Sequence, residues 1–394
     1  MSPITESFNL VTFALLIAAL GQIVFVLSML LTRLKVAAVY TPLVIFFIAS
    51  GCSYTLPALN NIWPKFTIYA IFISLPCFSL QPVALWLYVV GLTSPTRWQF
   101  SWRYWRHFIP AFLGLLLSLF IVVLPESIIK PIFIDGQDPT SSIGIFVVVA
   151  FFVLLLLFLV QSSMYLVFVV KRLLRYQQQL KLLFSSNEQR ELFWVLWLVL
   201  IIAGTWITTL AYILPAMLIE HTLFGDEIIA ACYLALVWTI GLWGLRQKPG
   251  FHGRYLTADS NEQLEQSLKE VLLPSKKKYQ KSALDLTQSE RIAKKLKSTM
   301  QNQQLYLQPD LSLPSLAKQL QVPANYLSQT LNENIKESFF DYVNRWRVEH
   351  AKTLLIGGKQ SILDIAMESG FNAKSSFYKA FKQMTGQTPG QYGK

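Results

Sequence analysis

Ile362-Leu363-Asp364-Ile365-Ala366-Met367-Glu368-Ser369-Gly370-Phe371-Asn372-Ala373-Lys374-Ser375-Ser376-Phe377-Tyr378-Lys379-Ala380-Phe381-Lys382 is the stretch on which the reading of this 394-residue chain turns. Ile362, Ile365 and Ala366 fall on one face of a short helix. Gly370 supplies a tight turn and Phe371 packs beneath it. A second helix, Ala373–Thr385, turns Phe377 and Phe381 inward. Helix, tight turn and helix is an arrangement that presents the second helix to a nucleic-acid groove.

The same pattern occurs once upstream. A helix beginning near Leu313 carries Leu316, Ala317 and Leu320 on one face. The turn Gln321-Val322-Pro323 follows, then a helix Ala324–Asn334 with Tyr326, Leu327 and Leu331 inward. A long helix, Ser338–Leu355, joins the two patterns and ends at Gly357-Gly358. Ahead of them, Thr287-Gln288-Ser289-Glu290 fits a capping box before a helix Ser289–Met300. One such pattern is a weak signal; two at this spacing about one linker helix are far more specific.

These residues carry a resemblance. Leu313-Pro-Ser-Leu316-Ala317, Tyr326-Leu327-Ser328, Phe340-Asp-Tyr342-Val-Asn344-Arg345-Trp-Arg347, Ile362 through Lys382, and Gly386-Gln-Thr-Pro389-Gly-Gln-Tyr392 resemble the DNA-binding domain of AraC/XylS-type bacterial transcription regulators. The likeness covers 284–394, just over a quarter of the chain. Gln321 departs from it, standing where the first turn often has Gly. Gly393 stands where an Arg commonly follows the terminal Tyr. The resemblance implies that each unit's second helix reads a major groove. The first reading surface would be Asn325, Ser328 and Gln329 with Asn332 nearby, and the second Lys374, Ser375 and Lys379. Asn and Gln can pair bidentately with adenine, and Lys can donate to guanine. Lys382, Arg345 and Arg347 are candidates for phosphate contacts or internal salt bridges. Residues 284–394 hold 14 Lys/Arg against 9 Asp/Glu, a moderate electrostatic footprint for DNA.

The rest of the chain is of another kind. Overall it is 53% hydrophobic and 14% charged, with a net charge of +12. Residues 1–245 hold only 12 Lys/Arg and 9 Asp/Glu, whereas 246–394 hold 22 and 13. Seven apolar runs are long enough to cross a bilayer: Phe8–Leu31, Val36–Leu59, Phe66–Leu92, Phe108–Leu124, Ile143–Val170, Leu192–Ile219 and Glu227–Leu245. They lack the polar faces that core helices of a soluble protein need. The first is too long for a cleaved signal peptide and is followed by Arg33 and Lys35. Ten Lys/Arg lie in one set of loops, around Arg33, Arg97–Arg106 and Lys171–Arg190. The other set has Lys65 and Lys130 alone. That bias puts the N-terminus outside and the C-terminus in the cytoplasm, with seven spans. Trp98, Trp102, Trp105 and Trp194 flank the basic side as interfacial aromatics.

The expected architecture is therefore all-α. A seven-helix membrane domain (1–245) leads through a cytoplasmic connector (246–283) to a domain of two helix-turn-helix units about a linker helix (284–394). In the spans, Gln22, Gln81 and Gln161 read as interhelical hydrogen-bonding amides, and Cys52, Cys77 and Cys232 as packing residues. The four His have no metal-ligand spacing, and no Walker loop, HExxH, GxSxG or CxxC occurs. The expectation is no catalytic residue, cofactor or metal. Partners expected are DNA, membrane lipid, RNA polymerase, a second copy of the chain, and a small or lipophilic signal. The expected location is the bacterial inner (cytoplasmic) membrane. The competing reading is a transporter or membrane enzyme with a regulatory DNA-binding tail. It is disfavoured because the spans carry no charged residue at mid-membrane.

Overall fold

The computed structural model describes residues 10–34, 38–62, 67–95, 98–133, 137–186, 225–247, 284–358 and 360–393, with Val271 and scattered residues of 192–208; residues 56–62 and 67–71 are described by backbone alone. The described residues form helices, with one isolated bridge between Phe184 and Ser312 and no strand. The chain divides into two compact units. One is Met1–Arg172 with Phe193–Gly250, the other Leu173–Leu192 with Phe251–Lys394. Of the connector expected over 246–283, only Arg246, Gln247 and Val271 lie among the described residues.

The first unit holds α1 (Leu10–Leu34), α2 (Thr41–Ile62), α3 (Thr67–Leu92), α4 (Ile109–Val123), α5 (Glu126–Phe133), most of α6 (Ser142–Leu183), and α7 (Asp226–Arg246). Among the described residues six helices are long and apolar enough to cross a membrane: Leu10–Leu34, Ala38–Thr55, Phe72–Leu92, Trp102–Val123, Ser142–Leu183 and Asp226–Arg246. The other expected run, Leu192–Ile219, falls largely outside the described residues, although 197–202 is helical. Apolar side chains such as Phe112, Leu119, Phe146 and Leu156 face outward on α4 and α6. A contiguous apolar exterior of this kind suits lipid rather than water.

Inside the unit, α2 packs on α3 and α1 on both α2 and α7. Gly241 and Gly244 let α7 approach closely. A Cβ on Gly241 would lie 2.7 Å from the Val26 side chain, and one on Gly244 2.8 Å from that of Leu43. Two of the expected amides bond between helices, Gln81 Nε2 to Ser53 Oγ at 3.2 Å and Gln161 Nε2 to the Ser79 carbonyl at 3.3 Å. At the end of α7, Tyr88 and Tyr40 hydroxyls donate to the carbonyls of Gly244 and Gln247, both at 3.0 Å. Arg33 donates to the Leu245 carbonyl. A cation there also complements the negative end of the helix dipole.

Two expectations need correction in this unit. Trp194 is packed against protein and does not face outward: it is 5% exposed, and its indole N–H donates to Gln247 Oε1 at 3.2 Å. Trp102, by contrast, is 80% exposed. The fifth apolar run also does not end its helix at Val170. With no Gly or Pro to stop it, α6 continues to Leu183 and totals 42 residues. At 1.5 Å per residue that is about 63 Å, roughly twice a bilayer core.

The second unit contains α8 (Leu286–Gln303), α9 (Leu313–Gln319), α10 (Ala324–Gln329), α11 (Phe339–Ile356), α12 (Ile362–Glu368), α13 (Lys374–Thr385) and α14 (Pro389–Tyr392). A π-turn, Thr330–Ile335, prolongs α10. The expected capping box at Thr287–Glu290 is absent. The helix starts a turn earlier, with Asp285 as its N-cap, and Thr287 Oγ1 donates to Asp285 Oδ2 at 2.9 Å. Serines cap elsewhere. Ser312 and Ser315 form a capping box at α9, and Ser338 and Ser361 accept the backbone N–H of Asp341 and Asp364 at α11 and α12. Around α11, α12 and α13 lies a core of Val348, Ala351, Leu355, Ile365, Ala366, Phe371, Phe377, Ala380 and Phe381, with Tyr392 of α14 packed against it.

The two turns show what the missing glycine costs. Gln321 after α9 and Gly370 after α12 both have positive φ, 53° and 85°. At Gly370 a Cβ would also meet the Tyr306 carbonyl at 2.6 Å, so space and conformation both require glycine. Gln321 is exposed and has only the conformational cost. Urea unfolding of residues 284–394 should therefore separate the positions. Gly370→Ala is expected to lose about 2 kcal/mol or more, and Gln321→Gly to gain up to about 1 kcal/mol. A destabilising Gln321→Gly would show that the side chain holds the turn.

Candidate nucleic-acid interface

Helix α13 places four of the expected site residues together. Lys374, Ser375, Lys379 and Lys382 are all exposed, at spacings of one, four and three residues that keep them near one face. Phe377 and Phe381, both 0% exposed, anchor the opposite face in the core. The apolar stripe thus sets which way the lysines point. Lys374 Nζ lies 5.5 Å from the centroid of Tyr378, a half-buried phenol that the sequence reading passed over. Its position four residues after Lys374 was the available signal.

The first expected surface is less open. Asn325 is half-buried in the first turn of α10, and its Oδ1 accepts the Tyr326 backbone N–H at 3.0 Å. Gln329 Nε2 donates to Glu333 Oε2 at 2.7 Å, and Asn332 Nδ2 to the Ser328 carbonyl at 2.7 Å. Ser328 is only 1% exposed. It lies beside Leu327 on the packed side of α10, so its hydroxyl does not face solvent. Asn325, Gln329 and Asn332 remain within reach of the surface, and each must give up or share an internal bond to read a base edge.

Arg345 and Arg347, expected either at phosphates or in internal pairs, are both held internally. Arg345 forks onto Glu337, with Nε 3.0 Å from Oε1 and Nη2 3.0 Å from Oε2, and lies 5.2 Å over the Tyr342 ring. Arg347 is 0% exposed. Its Nε donates to the Tyr306 carbonyl at 2.7 Å and its Nη2 to the Gln308 carbonyl at 2.8 Å. Its guanidinium carbon lies 5.6 Å from the centroid of Phe371. Burial raises the pKa of the Tyr306 and Tyr342 phenols. Among the described residues no group of three or more His, Cys, Asp or Glu gathers to hold a metal ion.

A capped scaffold presenting an exposed, lysine-bearing helix is what a DNA-binding helix-turn-helix domain requires, and the comparisons agree. The family model for a helix-turn-helix domain matches residues 316–394. Two uncharacterized HTH-type transcriptional regulators of Staphylococcus aureus, from strains COL and N315, are each 37% identical over 89 residues. Those matches take in 23% of this chain and 12% of each relative, so the chain covers only a small part of their length. The melibiose operon regulatory protein of Escherichia coli (strain K12) is 32% identical over 84 residues, 21% of this chain and 28% of that protein. No solved structure matches.

Two substitutions on α13 should part chemistry from packing. Lys379→Ala should leave the fold intact, weaken DNA binding about tenfold and lower the slope of log affinity against log salt by about one. Phe377→Ala should cost about 3–5 kcal/mol and unfold the core around α13. Circular dichroism and a salt titration of binding to genomic fragments measure both. Unchanged binding by the folded Lys379 variant would remove it from the interface.

Proposed function

We propose that the chain is a membrane-embedded, one-component transcription regulator, in which signal sensing by the N-terminal helices controls sequence-specific DNA binding by the C-terminal domain. The observation that carries this reading is covalent: one polypeptide holds, among its described residues, six helices apolar enough for a bilayer, and a stretch that matches a helix-turn-helix domain. A regulator whose domains share a chain needs no separate kinase or carrier between input and output. Expression regulators among the relatives support DNA as the partner.

In this reading residues 1–245 are the input domain, with seven spans and the N-terminus outside, residues 246–283 are the connector, and 284–394 the DNA-binding domain. The C-terminal part occupies the cytoplasm beneath a bacterial inner membrane. The two helix pairs, α9–α10 and α12–α13, are two helix-turn-helix units about the linker helix α11. Asn325, Gln329 and Asn332 contact one major-groove segment, and Lys374, Ser375 and Lys379 the next, with Lys382 at a phosphate. RNA polymerase and a second copy of the chain are the protein partners. The signal is small or lipophilic, since the longest outward loop is about 18 residues and includes the eight-residue α5. To act, it must bind two arrangements of the helices with different affinity.

Topology offers the most direct check. A phosphatase reporter, active only outside the cytoplasm, should be silent when fused after Leu245 and active when fused after Gln137. Activity after Leu245 would overturn the placement of the DNA-binding domain.

A further inference from the structure

The far end of α6 is not explained by DNA binding or by membrane crossing. Beyond Val170 its buried residues are Leu173, Tyr176, Leu180 and Leu183, at spacings of three, four and three, while Leu174, Arg175, Gln178 and Lys181 are exposed. This is the stripe of a helix packed on protein along one side. Residues Leu173–Leu192 group with the C-terminal unit. After Leu183 the helix stops, and Phe184, Ser185 and Ser186 follow outside any helix.

The contacts of this stretch are specific. Phe184 is 4% exposed and forms an antiparallel bridge with Ser312, the N-cap of α9. Ser185 is 1% exposed, and its N–H and Oγ both donate to the Leu311 carbonyl, at 3.2 and 2.7 Å. Arg347 on α11 returns two bonds, from Nη1 to the Ser185 carbonyl at 3.3 Å and from Nη2 to Ser185 Oγ at 3.1 Å. Asn372, in the turn before α13, donates to Ser186 Oγ at 2.9 Å. Three consecutive residues therefore touch the start of the first helix pair, the linker helix, and the turn that aims the second pair.

We propose that the crevice around Arg347 is an interaction surface whose partner is the chain's own Phe184-Ser185-Ser186, a docking strap that ties the DNA-reading unit to the end of α6. The proposal rests on the proposed function for its consequence, though not for the docking itself. A fully buried guanidinium must have acceptors for its N–H groups, and Ser185 supplies two of them. Withdrawing the strap removes both, takes the Ser185 donors from the Leu311 carbonyl, and leaves Asn372 with the Pro309 carbonyl alone, at 3.3 Å. Strap-in and strap-out forms then differ in how α11 holds the two helix pairs, and so in the spacing of the reading helices. A single helix, α6, carries both the apolar part and the end that leads into the strap. A rearrangement of the membrane helices would thus reach the DNA-reading unit by changing the occupancy of the crevice.

The test uses the full chain in phospholipid nanodiscs, with Cys52, Cys77 and Cys232 replaced by Ala. Ser186→Cys with Asn372→Cys should form an internal cross-link under mild oxidant at least about tenfold faster than Ser186→Cys with Lys382→Cys. By hydrogen exchange, peptide 181–186 should be protected in the wild type. Ser185→Ala, which deletes two hydrogen bonds, one to a charged group, should speed its exchange about tenfold and leave peptide 374–385 unchanged. Equal cross-linking rates, or an unprotected wild-type 181–186, would overturn the docking. In cells, Ser185→Ala should redistribute genome-wide DNA occupancy relative to wild type. Unchanged occupancy in a variant that has lost protection would overturn the coupling. Absence of discrete sites in the wild type itself would count against the proposed function and leave the docking result standing.

Discussion

A guanidinium that is sealed from water commits everything around it, and Arg347 is such a group. Its acceptors include carbonyls of Tyr306 and Gln308, in the segment between α8 and α9, and its face lies against Phe371 at the turn of the second helix pair. The linker helix α11 is therefore fastened on one side to the approach to α9 and on the other to the approach to α13. Removing a partner from a buried charge costs far more than the average hydrogen bond contributes. A lysine cannot substitute, because one ammonium cannot span acceptors arranged for a planar fork. The two helix pairs are thus positioned relative to each other by a residue sealed from solvent.

The two helix pairs solve the same geometric problem with different means. Both turn through a residue of positive φ, but Gly370 is pressed against the Tyr306 backbone, whereas Gln321 is open to solvent. The second pair is also the one whose helix carries exposed lysines over a phenylalanine core. The first presents half-buried amides already bonded within the domain. One pair thus presents exposed cations and the other neutral amides, two surfaces of different charge and hydrogen-bonding character.

Much of this could be read from the residues alone, and the reasons it could not be read further are physical. Apolar runs of bilayer length and the inward Phe377/Phe381 spacing are local patterns, so the long helices and α13 follow from them directly. Ser328 went astray because a serine on a short helix gives no sign of its facing; only the packing of α10 shows it buried. Trp194 misled for the same reason, since an indole suits an interface and a core equally. The end of α6 is not legible because the sudden charge after Val170 marks the end of the apolar run and says nothing about where a helix stops. The crevice around Arg347 joins residues about 160 positions apart, and no local periodicity encodes such a pairing.

The central claim is that one molecule occupies the membrane and holds specific DNA at the same time. Sequencing the DNA that cross-links to the full chain in intact cells and copurifies with washed membranes tests it most directly. The account predicts a small set of discrete loci with paired half-sites about one helical turn apart. Membrane-bound protein carrying DNA no more selective than bulk chromosome would contradict it.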